Sequence, residues 1–263
     1  MEGPDERHVR YELRGAHAHL TIDREAARNA LSAQAMRELR EGLGRAEADP
    51  GARVVVLTGA GSRVFCAGGD LSSMGGGEGF LDGHDARRAY GLLLRRIQDC
   101  ALPTVARVNG HVLAGGVGLL LACDLAVASE TAELGLPEID RGLFPMTVMA
   151  LLQRHVGRKR ALELAMTGDR LSMREALEWG LVNRVVPAAE LDAATGALAQ
   201  KLAGKSRAVL QLGRRAFFTA EDLPLPQAVE HLASQLSLNV LTEDAGEGVG
   251  AFLEKRPPRW KDR

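Results

Sequence analysis

Two glycine-rich turns are the first features of this sequence that could do chemistry. They lie in "LAGGVGLLLACD", Leu113–Asp124, and in "FCAGGDL", Phe65–Leu71. Each follows an apolar run that is typical of a buried strand, one near Thr104 and the other near Val54. In an α/β sheet, the turns at the carboxyl ends of strands line the ligand crevice. Two such turns can aim two backbone N–H groups at one point and form an oxyanion hole without side chains, which suits a carbonyl that becomes an enolate.

The same glycines could instead hold a phosphate group or allow close packing. Glycines that open a helix after a strand suit a phosphate, but "AGGVG" and "GAGSRV" lack the GxGxxG spacing and the P-loop Gly-Lys-Ser/Thr. Close packing of a helix on a sheet accounts equally well for "LAGGVG" when that stretch is taken alone. The sequence has no GxSxG and no HExxH, and its histidines are scattered, so we expect neither a serine hydrolase nor a metal site.

The elements that position these turns alternate between strands and helices. "HVRYEL" and "AHLTID" alternate apolar and polar residues, which predicts an edge hairpin that turns at Gly15. Ser32 is a candidate N-cap for a helix from Ala33 to about Glu47. Further predicted strands are "RVVVLTG", "TVARVNG", "LAVAS" and "LVNRVVP", and further predicted helices cover residues 90–99, begin near Gly116 and follow Pro145. This alternation predicts an α/β fold with right-handed crossovers.

Three further stretches shape the predicted organisation. Gly75–Gly79 has four glycines, and together with the polar "FLDGHD" after it we expect a mobile loop that could serve as a lid. "SMRE", Ser172–Glu175, is a capping box that opens a short helix. From Ala188 onward the pattern is almost entirely helical. We therefore divide the chain into a core, residues 1–204, and a C-terminal helical segment, residues 205–263.

Composition limits the classes of partner. The 263 residues are 46% hydrophobic, so the chain can bury a full core. Thirty-three basic residues against 34 acidic ones give no basic excess, which argues against nucleic acid or a membrane surface as a partner. Cys66, Cys100 and Cys123 have no paired spacing, so we interpret them as apolar fillers in a reducing compartment. The polar N-terminus lacks an apolar signal segment and no run has the length of a membrane span, so we expect a cytoplasmic location.

Five stretches of the chain occur together in a characteristic order. They are "NALS", "VVVLTGAGSRVFCAGGDL", "NGHVLAGGVGLLLACDLAVAS", "LGLPEIDRGL" and "ALEWGLVNRVVP". In this order they resemble the enoyl-CoA hydratase/isomerase (crotonase) family, and the resemblance covers nearly the whole chain. It implies a crotonase-like spiral of ββα repeats with a C-terminal helical segment, assembled as a homotrimer or a dimer of trimers. It also implies an acyl-CoA thioester substrate that carries its own coenzyme A, so no separate cofactor is expected.

The resemblance assigns roles to individual residues. It implies that the N–H groups of Gly69 and Gly115 hold the thioester oxygen, so these two glycines count among the catalytic residues. Eight residues are expected to contact coenzyme A, the last two of them from a neighbouring subunit: Arg28, Ala30, Ala67, Gly68, Asp70, Leu71, Phe252 and Lys255. Arg28, together with Asn29 and Ala30, is expected beside the phosphates. An ordinary solvated lysine is the alternative for Lys255.

One of two family glutamates is missing from this chain. Hydratases of the family use two glutamates to position water and to deliver a proton. Glu138 in "LGLPEIDRG" matches the second, whereas Gly118 stands at the first, one helical turn beyond Gly115 on the face toward the ligand. We therefore expect an empty space in the substrate pocket in front of Gly118. Three residues of "LFPMTVMALL" are candidates either for an apolar acyl pocket or for the core of the following helix: Phe144, Met146 and Met149.

A single glutamate beside an oxyanion hole favours double-bond isomerisation of an enoyl-CoA. Glu138 then takes a proton alpha to the thioester and returns it at the gamma carbon. One alternative is hydration, with Glu138 acting through water or with a relocated acid. Another is a non-catalytic protein that binds acyl-CoA. The candidates for a relocated acid, each of which also fits an ordinary surface or turn position, are Asp70, His111, Glu133 and Asp140.

Overall fold

Two β-sheets with helices packed around them form the architecture. The computed structural model describes residues 7–70 and 79–263, so the expected loop at Gly75–Gly79 lies outside the described residues except for Gly79. The strands of the larger sheet are β1 (Val9–Arg14), β2 (His17–Ile22), β3 (Val54–Gly59), β5 (Thr104–Val108), β7 (Leu125–Ser129) and β10 (Arg184–Val186). They lie in the order β1-β2-β3-β5-β7-β10.

The larger sheet is parallel apart from its first strand. β1 and β2 form the predicted antiparallel hairpin, and Gly15 takes a left-handed conformation at the turn (φ 58°). The strands from β2 to β10 pair in parallel. Every residue of β3 is buried, as expected for a strand of a parallel sheet that is covered on both faces. The predicted α/β class is therefore confirmed.

The sequence does not predict the smaller sheet. Its strands are β4 (Val64–Cys66), β6 (His111–Leu113), β8 (Glu133–Gly135) and β9 (Arg170–Ser172). They pair in the order β4-β6-β8-β9, with only the last pair antiparallel. Each strand has three residues, too few to display a period of two. The two glycine-rich turns follow β4 and β6 rather than the long strands β3 and β5, so this small sheet positions the turns.

The described helices begin and end largely where the sequence signals lie. They are α1 (Ala33–Ala48), α2 (Phe80–Gln98), α3 (Gly115–Ala122), α4 (Met146–Thr167), α5 (Met173–Glu178), α6 (Leu191–Ala203), α7 (Arg207–Ala220), α8 (Leu225–Asn239) and α9 (Glu243–Leu253). Ser32 Oγ caps α1 by accepting a hydrogen bond from the Ala35 N–H at 3.0 Å. The predicted capping box of Ser172 and Glu175 opens α5. None of the described helices is both long and apolar enough to cross a membrane.

Helix α2 is longer than the sequence predicts. It begins at Phe80 rather than near Tyr90, so it includes the polar "FLDGHD" that we expected in a loop. That prediction was wrong because a polar stretch can also be the solvent side of a helix. His84 and Asp85 are exposed in this way. A surface helix keeps polar residues on its solvent face, and these turns have too few apolar residues to show a helical period. Tyr90 itself packs against the core.

The core lies on both faces of the larger sheet. Val55 and Leu57 of β3 belong to the main cluster, which the apolar sides of α1 to α5 complete. Val54 and Val56 point to the other face and pack in a second cluster with Leu198 of α6. All three cysteines are buried, as predicted. Burial raises the pKa of both the Cys66 and the Cys100 thiol to about 12, so these groups stay protonated.

Helices α7 to α9 leave an apolar surface uncovered. We call the exposed apolar side chains of this segment the C-terminal face: Phe217, Leu225, Val229, Leu232, Leu236, Leu238, Val240, Leu241, Val249, Phe252 and Leu253. Neither core cluster includes a side chain from these three helices. The division of the chain at residue 205 stays a prediction.

Candidate active site

The two glycine-rich turns meet because their strands are neighbours. β4 and β6 pair in parallel, with Cys66 opposite Val112, so both chains leave the small sheet at the same edge. A Cβ atom on Gly68 would lie 2.6 Å from the Ala114 Cβ and 2.8 Å from the Gly115 nitrogen. Gly68 also has a φ of 93°, which a residue with a side chain adopts only under strain. Only glycine therefore lets the turns come this close.

Two backbone N–H groups at this contact are free. Within residues 7–70 and 79–263, neither Gly69 nor Gly115 donates a backbone hydrogen bond. Their neighbours do, because the Asp70 N–H donates to Leu31 O at 3.1 Å and the Ala114 N–H donates to Gly135 O at 2.9 Å. Gly115 is the first residue of α3, where the helix dipole favours negative charge. Two N–H groups without a partner among the described residues, one of them at a helix start, can stabilise an oxyanion.

The backbone of Ala114 is strained where it leads into this helix. Its φ of 53° and ψ of −128° are unusual for a residue with a Cβ atom. Such a conformation costs on the order of 1–3 kcal/mol and persists only where the surroundings enforce it. Here the hydrogen bond to Gly135 of β8 holds Ala114 from one side, and its carbonyl accepts the Val117 N–H at 2.9 Å. The strain turns the chain so that α3 begins at Gly115.

A third segment packs beside the turn of Gly68 and Gly69. Leu31 donates its N–H to Gly68 O at 2.8 Å, and Ala67 donates its N–H to Arg28 O at 3.2 Å. These bonds form a short parallel bridge that places Arg28 and Ala30 against Ala67–Asp70. The Arg28 side chain is exposed. The structure therefore brings together the residues expected to contact coenzyme A, except Leu71, which lies outside the described residues, and the two C-terminal ones.

Arg24 is a neighbour of this surface that the sequence does not single out. Its guanidinium is almost fully buried and pairs with Asp70 Oδ2 at 3.0 Å, and it also donates to Ala30 O at 2.7 Å. Next to it, Asn29 is buried with a φ of 54° and donates to Ala60 O and Val64 O. Asn29 is therefore a structural residue. Arg24 connects the segment before α1 to the glycine turn, a contact across 46 positions that leaves no local signal.

Glu138 has a buried oxygen with no partner. Its Oε2 atom makes no hydrogen bond to any described residue and is shielded from solvent. Burial raises the pKa of Glu138 above its usual value, while the nearby Arg141 guanidinium acts in the opposite direction. A short 3-10 turn, Ile139–Arg141, follows Glu138 and fixes its backbone. A half-buried carboxyl with a raised pKa and a free oxygen is equipped to exchange protons with a ligand.

The place in front of Gly118 is occupied, contrary to our expectation of an empty space. A Cβ atom on Gly118 would overlap the hydroxyl oxygen of Tyr90 and would lie 3.1 Å from both Tyr90 Cζ and Leu94 Cδ1. The Tyr90 hydroxyl donates a hydrogen bond to Gly115 O at 2.6 Å. The prediction was wrong because α2 carries this side chain over α3, a contact between residues 28 positions apart in the chain.

Comparison with known proteins assigns the chain to a family. Residues 13–263 match the enoyl-CoA hydratase/isomerase family. This chain belongs to that family. The carnitinyl-CoA dehydratase of Proteus mirabilis (strain HI4320) is 35% identical over 255 residues, which are 95% of this chain and 97% of that protein. The human enoyl-CoA hydratase domain-containing protein 3, mitochondrial, is 36% identical over 234 residues, 89% of this chain and 77% of that one.

A solved structure of the family has the same fold. The crystal structure of an enoyl-CoA hydratase from Mycobacterium smegmatis matches with a TM-score of 0.92 at 35% sequence identity. The match covers 97% of this chain and 99% of that chain. The expected crotonase-like fold is thus confirmed.

Three acyl-pocket candidates and the two C-terminal coenzyme A candidates range from half-buried to exposed in this member of the enoyl-CoA hydratase/isomerase family. Phe144 packs against the core, and Met149 is half-buried. Met146 is 69% exposed, so packing within one chain does not bring it into a pocket. Phe252 is 81% exposed at the end of α9, and its contact with a neighbouring subunit's coenzyme A stays a prediction. The same holds for Lys255, which is also exposed.

The candidates for a relocated acid have other contacts or face solvent. Glu133 accepts a hydrogen bond from Arg170 at 2.8 Å. His111 Nδ1 accepts the backbone N–H of Glu133 at 3.1 Å, so this histidine braces β8. Asp70 is held by Arg24, and Asp140 is exposed. Among these candidates and Glu138, only Glu138 has a buried carboxylate oxygen without a partner among the described residues.

Proposed function

We propose that this chain is an enoyl-CoA isomerase that moves the double bond of a 3-enoyl-CoA thioester. The observation that carries the proposal is the unpartnered Oε2 atom of Glu138. Of the family's two glutamate positions, only Glu138 holds a carboxylate, because the other is Gly118. One carboxylate is enough for isomerisation, in which a single group removes a proton and returns it elsewhere on the substrate.

The proposed reaction uses the two free N–H groups and Glu138. The Glu138 carboxylate takes a proton from C2 of the 3-enoyl thioester, and the electrons of the broken C–H bond move onto the thioester oxygen. Gly69 and Gly115 donate hydrogen bonds to that oxygen and stabilise the dienolate. Glu138, now protonated, returns the proton to C4, and the double bond shifts to C2–C3. The carboxylate is regenerated and no other reactant is consumed.

Coenzyme A is proposed to lie along the surface that joins Arg28 and Ala30 to the glycine turn. The exposed Arg28 guanidinium suits a phosphate group. Backbone groups of Ala67, Gly68 and Asp70 bond to Arg28 and Leu31 across the bridge, which holds the glycine turn beside Arg28. None of these proposed contacts uses the Glu138 side chain, so changes to Glu138 should leave coenzyme A affinity nearly intact.

Hydration is the second candidate, and the names of relatives favour it. The Proteus mirabilis relative is a carnitinyl-CoA dehydratase, and the Mycobacterium smegmatis structure is of an enoyl-CoA hydratase. Adding water to a 2-enoyl-CoA requires a group to hold the water as well as one to move the proton. With Gly118 at the first position, Glu138 must do both or act with another group. A non-catalytic acyl-CoA-binding protein remains the third candidate.

Product analysis separates these candidates. The purified protein is incubated with 2-enoyl-, 3-enoyl- and 3-hydroxyacyl-CoA esters, and bond migration and water addition are measured for each. We expect bond migration to exceed hydration, and Glu138→Gln to lower turnover by about 10²-fold or more while affinity changes little. Glu163→Gln, at an exposed position on α4, is the matched control and should keep full turnover. Faster hydration than migration would overturn the isomerase proposal, and binding without turnover would support the non-catalytic candidate.

A further inference from the structure

Tyr90 connects the vacant glutamate position to the oxyanion turn. Its hydroxyl lies where a side chain of residue 118 would begin, and it donates to the carbonyl of Gly115 at 2.6 Å. A Cβ atom on Gly115 would lie 3.4 Å from the same hydroxyl oxygen. The hydroxyl therefore touches both the residue that supplies one free N–H and the residue that lacks the family's glutamate.

The hydrogen bond from Tyr90 adds a tertiary restraint to the start of α3, directly after the strained Ala114. Gly115 has no Cβ atom, so its φ and ψ angles are the least restricted of any residue type. The preceding residue, Ala114, is held in a strained conformation. A bond to the Gly115 carbonyl fixes the peptide plane on the C-terminal side of Gly115, while the bond between Ala114 and Gly135 fixes the chain before it. The Ala114 carbonyl, in the same peptide plane as the Gly115 N–H, accepts the Val117 N–H. We infer that the Tyr90 bond holds this arrangement from its C-terminal side.

Gly118 makes this arrangement possible. Any side chain at residue 118 would displace the Tyr90 hydroxyl, because its Cβ atom would overlap the oxygen. The rest of the Tyr90 side chain packs against the core, so the ring has little room to give way. A carboxylate at residue 118 and a Tyr90 bond to Gly115 therefore exclude each other in this packing.

We propose that Tyr90 is a positioning residue that holds the Gly115 N–H in the direction needed to stabilise the thioester oxygen, in place of the missing first glutamate. The inference rests on the proposed function, since it assigns Gly115 to the oxyanion hole. Tyr90 acts through the backbone and not as a base.

The electrostatic surroundings keep the Tyr90 hydroxyl in the donating form. Burial raises the pKa of Tyr90 well above its ordinary value, and the neighbouring Cys66 and Glu138 groups raise this pKa further. The phenol thus keeps its proton at neutral pH. A permanent donor suits a group that braces a carbonyl, because the hydrogen bond to Gly115 does not titrate with the catalytic acid.

The test measures the strength of the oxyanion hole without relying on turnover. Acetoacetyl-CoA forms an enolate that absorbs ultraviolet light, and an oxyanion hole lowers the pKa of its C2 proton in the bound state. The measurement compares this pKa in the wild type, Tyr90→Phe and the matched control Tyr11→Phe. Tyr11 is the chain's only other tyrosine, and its hydroxyl lacks a partner among the described residues.

We expect Tyr90→Phe to raise the pKa of bound acetoacetyl-CoA by about half a unit to one unit, the effect of weakening one hydrogen bond. Turnover of the 3-enoyl ester should fall about tenfold, whereas the dissociation constant of the ester changes less than about twofold. Tyr11→Phe should match the wild type in all three measurements. An unchanged pKa in Tyr90→Phe would overturn the role of Tyr90.

A second variant covers the case in which Tyr90→Phe lowers thermal stability. Gly118→Ala keeps the tyrosine but pushes its hydroxyl away from Gly115, so it should raise the pKa of bound acetoacetyl-CoA in the same direction. A Gly118→Ala protein that binds the ester with the wild-type pKa would contradict the inference. A wild type that does not lower the pKa at all would refute the oxyanion hole, and with it both the proposed function and the role of Tyr90. If the protein shows no isomerase activity but Tyr90→Phe still raises the pKa of bound acetoacetyl-CoA, the proposed function is wrong and this inference is supported.

Discussion

At the scale of single residues, the burial of Glu138 gives activity a defined pH dependence. Glu138 must be ionised to take a proton from C2, and burial raises the pKa of this carboxyl above that of an exposed glutamate. As pH falls, kcat/KM should therefore decline at a higher pH than an ordinary glutamate would cause. The measurement is kcat/KM for a 3-enoyl-CoA ester from about pH 4 to 8.

Two variants show whether this decline of kcat/KM at low pH, the acid limb of the pH profile, is caused by Glu138. The residual activity of Glu138→Gln should lack the limb, because glutamine does not titrate. Glu163→Gln should keep it at the same pH. A limb that persists unchanged in Glu138→Gln would assign the proton transfer to another group.

The residues of the site differ in how far the sequence could predict them. Glu138, Gly69 and Gly115 stand within quoted motifs whose order matches the family, and the structure shows a free oxygen on the first and free N–H groups on the other two. Tyr90 could not be found in this way. It lies in a helix whose sequence resembles no motif, and its importance comes only from a tertiary contact with Gly118.

At the scale of elements, the start of α3 is the feature on which the oxyanion hole depends. Gly115 is the first residue of this helix, a position where proline is compatible with the backbone because the N–H has no partner within the helix. A Cβ atom at Gly115 meets no atom closer than 3.4 Å, so a small side chain fits there. Alanine therefore tests the effect of an added Cβ atom at this position, and proline also removes the N–H.

Gly115→Pro and Gly115→Ala therefore form a matched pair. Proline deletes the N–H and should lower kcat by about 10²- to 10³-fold, the effect of losing one oxyanion donor. Alanine keeps the N–H and should retain most of the activity. Thermal unfolding and the affinity for the acyl-CoA ester serve as controls for distortion of Ala114. A folded Gly115→Pro protein with full activity would remove Gly115 from the oxyanion hole.

The elements themselves were predictable where they are long and periodic. β2, β3 and α1 follow from alternation, a continuous apolar run and the Ser32 cap. The strands β4, β6, β8 and β9 were missed because three residues carry no period. That omission affected the site, since β4 and β6 are the strands that bring the two turns together.

At the scale of the whole molecule, the C-terminal face is a set of apolar side chains that a single chain leaves exposed. Leu241, between α8 and α9, is 79% exposed, and Leu225, at the start of α8, is 77% exposed. Large exposed apolar patches often mark interaction sites. The resemblance to the family implies a trimer or a dimer of trimers. We propose that the C-terminal face is covered by a second copy of the chain, which also brings Phe252 and Lys255 to the neighbouring coenzyme A site.

A charged residue on the C-terminal face should therefore both dissociate the assembly and lower the affinity of the coenzyme A site. We expect the intact chain to sediment as a trimer or hexamer and Leu241→Glu to shift it to smaller species, because an unpaired carboxylate is costly to bury in an apolar interface. Leu13→Glu, at a leucine of the β1 edge strand that is 38% exposed, is the control and should leave the assembly intact. If the partner copy completes the coenzyme A site, Leu241→Glu should also bind acyl-CoA more weakly at low protein concentration, with affinity recovering as concentration rises and subunits associate. A monomeric wild type, or a Leu241→Glu protein that stays assembled, would show that this face has another use.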